Sequence, residues 1–309
     1  KTMQLRESDQ RVKVEGILSE TDISYTSYVK DGKTVEAIKG VIKVLVRQVI
    51  NDVEQALEIP VNLFSPKMTK KGTINPSYES IERVMKEFTS IAAAGSEGAA
   101  DKVRITGAKL EVNEYYNSNN KLMAFPRVKG SFIGIATGEF KPEATFSSDF
   151  IVLAMAYETD KDGIEIEPQK LKVTVGVIQY GGSISVLELV ATNPNVIAAV
   201  SDHWEVNGTF KASGRLNFTS KVETVLEEVD FGEPVERVRT ITSSELIITG
   251  GSQTPLEGDF AFSVEDIAEA LEKRKISLEE AKVKTTKSAP APMGSTDKAI
   301  SEAGKDLGF

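Results

Sequence analysis

The sequence has no cysteine and only one histidine, His203. Without thiols there is no disulfide framework, no thiolate metal site and no cysteine nucleophile. A single imidazole rules out a His-rich metal centre and leaves any Ser-His relay one candidate base with no evident partner. Long apolar runs are missing too. No stretch approaches the ~20 residues needed to span a bilayer, and residues 1–14 are polar and charged with no apolar core of a signal segment. No Walker loop, G-x-G-x-x-G or H-E-x-x-H occurs. Asp160 and Asp162 in ETDKDG stand as at the start of a calcium loop, but the downstream spacing fails and the segment reads as a tight turn. These absences lead to the expectation of a non-enzymatic protein without metal or cofactor, acting away from membranes in the cytoplasm.

What is present is ordinary globular material. At 309 residues, 40% hydrophobic and 27% charged, the chain has enough apolar content for two cores. Its net charge of −9 is unevenly spread: residues 1–150 carry 21 Lys and Arg against 20 Asp and Glu, whereas residues 151–309 carry 16 against 26. Phosphate is met by local cations rather than by whole-chain charge, so a polyanion would be held mainly by the first half.

Hydrophobic periodicity divides the chain into two similar series. Residues 11–18 (RVKVEGIL), 35–47 and 58–64 (EIPVNLF) read as strands, with Pro60 suggesting an edge position for the third. Over residues 77–94, Ile81, Val84, Met85, Phe88 and Ile91 fall on one helical face, with Pro76 opening the helix and Gly95 closing it. Strand character returns at 102–112 and 127–135. The second series has strands at 150–157, 170–179 and 183–190, a short helix at 194–200, then strands at 206–218 and 235–248. Strand, strand, strand, helix, strand, strand is the order of the oligonucleotide-binding (OB) fold. The expected architecture is therefore mainly β: two OB-fold-like five-stranded barrels, each with a helix between its third and fourth strands. The expected domains are residues 1–145, with inserted helix 77–94, and 146–250. A helical extension follows at 251–283, with two short helices marked by the Ser-x-x-acid spacings Ser263/Asp266 and Ser277/Glu280. Residues 284–309 have the composition of a flexible tail.

In an OB-fold the loops after strands one and four meet the ligand. Here the first would carry Tyr25, Tyr28, Lys30 and Lys33, and the second Tyr115, Tyr116, Lys121, Phe125 and Arg127. The basic turn before the helix adds Lys67, Lys70 and Lys71, and strand four adds Arg104. Aromatic faces stack on unpaired bases while Lys and Arg follow the phosphates, so these residue types point to single-stranded nucleic acid. The equivalent second-barrel stretch, residues 222–236, holds Glu223, Glu227, Glu228, Asp230, Glu233 and Glu236 with no Lys or Arg, and would repel a phosphate backbone. Lys211, Arg215, Phe218 and Trp204 are its remaining candidates, Trp204 equally suited to plugging the barrel.

The series VKVEGIL, IKGVIKVLVR, KMTKKG before a helix, and VRITGAKLEVNEYY resembles single-stranded DNA-binding proteins of tailed bacteriophages. That resemblance implies OB-folds that coat and protect DNA intermediates of replication or recombination, with no enzymatic step, in the host cytoplasm. The last four residues, Asp306, Leu307, Gly308 and Phe309, are similar to the terminal Asp-x-x-Phe through which such proteins recruit replication or recombination partners; Lys284, Lys287, Lys298 and Lys305 depart from the usual acidic excess. The competing expectation is a β-rich virion structural protein, a tail or decoration subunit.

Overall fold

The computed structural model describes residues 5–50, 53–117, 119–227 and 235–288. The first five strands are β1 (Arg11–Lys30), β2 (Lys33–Ile50), β3 (Val53–Pro66), β4 (Lys102–Tyr116) and β5 (Leu122–Gly130), with helix α1 (Pro76–Glu87) and the short α2 (Ile91–Ala94) between β3 and β4. Pairing runs β1-β2-β3-β5-β4 and returns to β1, antiparallel except for the parallel β3–β5 contact, so the strands close into a ring. A four-residue strand, β6 (Phe132–Ile135), lines the outer edge of β4.

The same closure recurs with β7 (Glu143–Tyr157), β8 (Leu171–Ile178), β9 (Ile184–Ala191), β10 (Thr209–Glu227) and β11 (Val235–Gly251), with helix α3 (Pro194–His203) between β9 and β10. Here too the third-to-fifth contact, β9–β11, is parallel and the others antiparallel. The expected mainly-β architecture and element order are thus present. The two rings are joined edge to edge: Arg11 to Glu15 of β1 pair antiparallel with Ser147 to Glu143 of β7.

Inward residues of the strands make one continuous core from Val12 to Ile248. In the second ring Trp204 lies 5.4 Å from both Phe150 and Phe210, nearly parallel to the latter, and its indole N–H donates to the Ser252 carbonyl at 2.8 Å. Phe218 is buried as well. A smaller cluster forms where helix α4 (Val264–Ser288) lays Ile267 and Ala270 against Ile151, Ile178 and Ile184.

Several boundaries differ from expectation. The helix expected over 77–94 breaks at Phe88–Ser90. Side chains take up backbone N–H groups there: Ser90 caps α2 by accepting from Ala93 N–H, and the Asp101 carboxylate accepts from Thr89 N–H at 2.8 Å. The strand expected over 127–135 is two, β5 and β6. β3 spans 14 residues and is paired on both sides rather than lying at an edge. Pro60 fits because the parallel contact with β5 begins only at Val61. The two short C-terminal helices are one, because no Gly or Pro interrupts residues 264–288. Ser263 does cap it, accepting from Asp266 N–H, whereas Ser277 lies mid-helix. The tail expected from 284 therefore begins no earlier than 289, and Lys298, Lys305, Asp306 and Phe309 lie outside the described residues. Among the described residues no helix is long and apolar enough to cross a membrane.

Candidate nucleic-acid interface

The two stretches read as ligand loops are mostly strand. β1 and β2 stay paired to their tips, where Lys30 faces Lys33 and only Asp31 and Gly32 turn, both with positive φ as a tight two-residue hairpin requires. β4 and β5 likewise pair from Lys109/Lys129 out to Tyr116/Leu122. The acid-rich stretch of the second ring is also a hairpin, β10–β11; residues 228–234 and the side chains of 222–236 lie outside the described residues.

Strand geometry then decides which side chains meet, because neighbours alternate between faces. Ile38, Ile42, Ile59, Val61, Leu110 and Val128 point into the first barrel. The outer face consequently carries Ser24 and Tyr28 of β1, Lys39 of β2, Asn62 and Phe64 of β3, and Phe125, Arg127 and Lys129 of β5. Register places Ser24, Lys39 and Phe64 side by side across three strands. The Tyr28 and Phe64 rings lie 5.9 Å apart, and those of Tyr115 and Phe125 6.3 Å apart. Extending the Val61/Val128 register sets Phe125 level with Glu58, so Phe64 and Phe125 are separated by about 20 Å along the strands.

Between the two aromatic pairs runs a groove of 450 Å³ lined by Lys39, Asn62, Arg127 and Lys129 together with Asp22 and Glu111. One carboxylate, Glu111, is shared by Arg127 (3.0 Å) and Lys129 (2.9 Å). Lys39 has no ion pair among the described residues. Arg127 Nε is buried there with no partner among the described residues. Three cations against two carboxylates leave the groove net positive, with exposed rings at either end.

The predicted residues divide accordingly. Tyr28, Tyr115, Phe125 and Arg127 share the outer face. Tyr25, three residues before Tyr28, faces the other way and donates its hydroxyl to Glu82 of α1 at 2.7 Å; that bond raises its pKa above the ordinary tyrosine value. Lys67 is on that side too, paired with Glu36 at 2.6 Å, which raises its pKa. Lys70 and Lys71 are exposed in the adjoining turn. Tyr116 faces opposite to Tyr115, with Lys282 of α4 over its ring at 5.3 Å. Lys30 and Lys33 occupy the tip of the β1–β2 hairpin, and the exposed Lys121 leads into β5. Arg104 stands apart: it grips Glu15 with two nitrogens at 2.6 and 3.0 Å and reaches the Glu139 carbonyl. The Arg104 hydrogen bond holds the Glu15 carboxyl below its usual value, against the opposing effect of burial.

Sequence reading missed Lys39, Asn62, Phe64 and Lys129. The usable signal was the alternation in EIPVNLF, whose apolar Ile59, Val61 and Leu63 claim the interior and leave Phe64 facing solvent, 44% exposed.

On the corresponding face of the second ring, over β8, β9 and β11, the groups neutralise one another. Lys170 lies 3.2 Å from Glu245 and 3.8 Å from Glu158; Lys172 lies 3.0 Å from Glu158 and 3.6 Å from Glu188. Hydrogen bonding from Lys172 lowers the Glu158 pKa. Lys211 pairs with Asp9 at 3.4 Å, and Asp160 accepts the N–H groups of Asp162 and Ile164 in the tight turn expected there. Among the described residues no three His, Asp or Glu side chains are grouped as a metal site would need.

Comparison with solved structures finds a deletion mutant of the single-stranded DNA-binding protein from Thermus aquaticus. It is 13% identical at a TM-score of 0.50, covering 84% of this chain and 98% of that one. The likeness supports an OB-type fold. A replication protein A heterotrimer bound to single-stranded DNA also matches, at 10% identity over 89% of this chain and 70% of that one, but its TM-score of 0.20 is too low to place any element. No curated protein sequence matches. A family model does, over residues 8–284, a span that takes in both rings and nearly all of α4, and by that match the chain belongs to the YorF family.

Proposed function

We propose that the protein binds single-stranded DNA without cleaving it, and that the outer face of the first barrel is where it does so. The observation that carries this reading is the groove itself: aromatic pairs about 20 Å apart along the strands, Phe64, Tyr115 and Phe125 exposed, with Lys39, Arg127 and Lys129 between them. Bases stack on Tyr28, Phe64, Tyr115 and Phe125 while phosphates meet Lys39, Arg127 and Lys129, an arrangement that tolerates any sequence because every base has a π-face. Lys30, Lys33 and Lys121, on the hairpin tips, extend the electrostatic reach; Tyr25, Lys67, Lys70 and Lys71 lie on the helix side and serve at most a strand that wraps around the β1–β2 hairpin. Coating DNA during phage replication or recombination, and recruiting partners through Asp306 and Phe309, belong to the same proposal and rest on the sequence resemblance. A virion subunit would bury such rings against a neighbouring subunit rather than set them beside lysine and arginine.

The test is fluorescence anisotropy with labelled oligo-dT, the matching duplex and poly-rU at two salt concentrations. The expected result is tight oligo-dT binding, weaker duplex binding, a steep fall with salt, and no change on adding EDTA. Absence of oligo-dT binding at low salt would return the virion reading; cleavage with magnesium would point to a carboxylate-metal nuclease.

A further inference from the structure

The groove does not end at the first barrel. Glu111 and Lys129, on its floor, also line a second cleft of 530 Å³ whose far wall belongs to the second barrel: Gln179, Tyr180, Ser183 and Ser185 at the β8–β9 turn. The turn is fixed in place. Gln179 donates to the Leu110 carbonyl of β4 at 3.0 Å, and Ser8 and Ile178 exchange hydrogen bonds at 2.9 and 3.0 Å, so this corner of the second barrel is tied to the first. Within the turn, Gly181 and Gly182 both take positive φ, a conformation that residues with a Cβ adopt far less readily.

Tyr180 stands at the apex, 85% exposed, with no hydrogen bond or ring contact among the described residues. Nothing in the core needs it. The cleft beside it is close to neutral, with Glu7 and Glu111 set against Lys109 and Lys129, and its remaining polar groups include three serine hydroxyls, those of Ser131, Ser183 and Ser185. Hydroxyls can both donate and accept, which suits base edges and sugars better than a phosphate-only path.

We propose that a single strand leaving the first-barrel groove passes over Lys129 into this cleft and stacks a base on Tyr180, making the second barrel a short extension of the binding track. This rests on the first-barrel reading. It assigns the second barrel a role through its turn, not through its carboxylate-neutralised face.

The test compares two oligo-dT lengths, one of about six nucleotides that the first barrel alone can hold and one of about 20 that overruns it. Tyr180→Ala should weaken the long oligonucleotide about fivefold or more while leaving the short one within about twofold, and Tyr180→Phe, which keeps the ring, should bind both as the parent does. Thermal melting should be unchanged in both variants, since the side chain packs on nothing. If Tyr180→Ala binds the long oligonucleotide like the parent, or loses both lengths equally, the extension is wrong. Failure of Tyr180→Phe to retain binding would overturn stacking as its basis. Should the parent bind neither length, the first-barrel reading falls, and this inference with it.

Discussion

The two barrels share pairing order, a parallel third-to-fifth contact and a helix before the fourth strand, yet their outer faces differ in kind. On the first, Lys39, Arg127 and Lys129 outnumber the two carboxylates that line the same groove, and Phe64 and Phe125 are left uncovered. On the second, Lys170 and Lys172 are held among Glu158, Glu188 and Glu245, and the large aromatics Phe150, Trp204 and Phe210 have gone inside. Topology is set by the inward residues, which both series supply; the outward ones differ, and on the proposed reading the first barrel's carry most of the binding. Duplicating a barrel therefore does not duplicate its site.

The sharpest way to break this contrast is to strip each face in turn. Replacing Phe64 and Phe125 together by Ala removes two stacking faces of about 1–3 kcal/mol each, so oligo-dT affinity should fall at least about thirtyfold by anisotropy. Replacing Lys170 and Lys172 by Ala should change it no more than about twofold, since their charges are already spent on glutamates. A larger loss from the second pair than from the first would reverse the assignment of the barrels. The buried aromatics give the complementary experiment. Trp204→Ala should cost about 3–5 kcal/mol of stability in chemical denaturation, while affinity measured on folded protein stays at the parental value. A selective loss of DNA binding would show the second core to be part of the site.

The smallest effect concerns the junction. Glu15 pairs in register with Glu143 of the other barrel and is gripped by Arg104. Because its folded pKa is lowered, chiefly by the Arg104 hydrogen bond, its stabilising contribution is complete above the unfolded value of about 4.3 and disappears as pH falls through the lower folded value. Glu15→Gln should cost roughly 1 kcal/mol at neutral pH, a figure kept low because Arg104 is partly exposed, and should flatten the acid limb of the stability curve. Denaturant titrations at descending pH check this; parallel curves for parent and variant would remove Glu15 from the account.

Element order was legible because the core-facing halves of the strands alternate cleanly and α1 keeps a helical period. Strand length was not. Residues 19–30 lie on a hairpin whose outer part extends past the core, and Ile23 is the one side chain of the segment that packs against it, so polar residues dominate and the segment reads as a loop. That misreading hid the parity rule that separates Tyr25 from Tyr28 and Tyr115 from Tyr116: side chains assigned to one flexible loop are free to converge, whereas odd and even positions of a strand cannot. The same projection explains why Phe64 was overlooked, since its partner Tyr28 was expected on a loop rather than on the neighbouring sheet. Helix α4 was divided because a Ser-x-x-acid spacing is compatible with a helix interior as well as with a start.

The edge-to-edge pairing of β1 with β7 also governs the order in which the chain can fold. Hairpins β1–β2, β2–β3 and β10–β11 close locally, but Val12 must wait for Ala108 to complete the first ring and Arg11 must wait for Ser147 to join the second. Contacts so distant in sequence carry the loop-closure entropy before they return any stability, which slows folding toward the millisecond-to-second range typical of β-rich topologies, roughly speaking, and leaves the front half of β1 an unsatisfied edge until then. During synthesis β1 is made before β4 and β7, the strands that complete its pairing, so the segment that locks the two barrels together is also the one most exposed to mispairing with another copy of the chain.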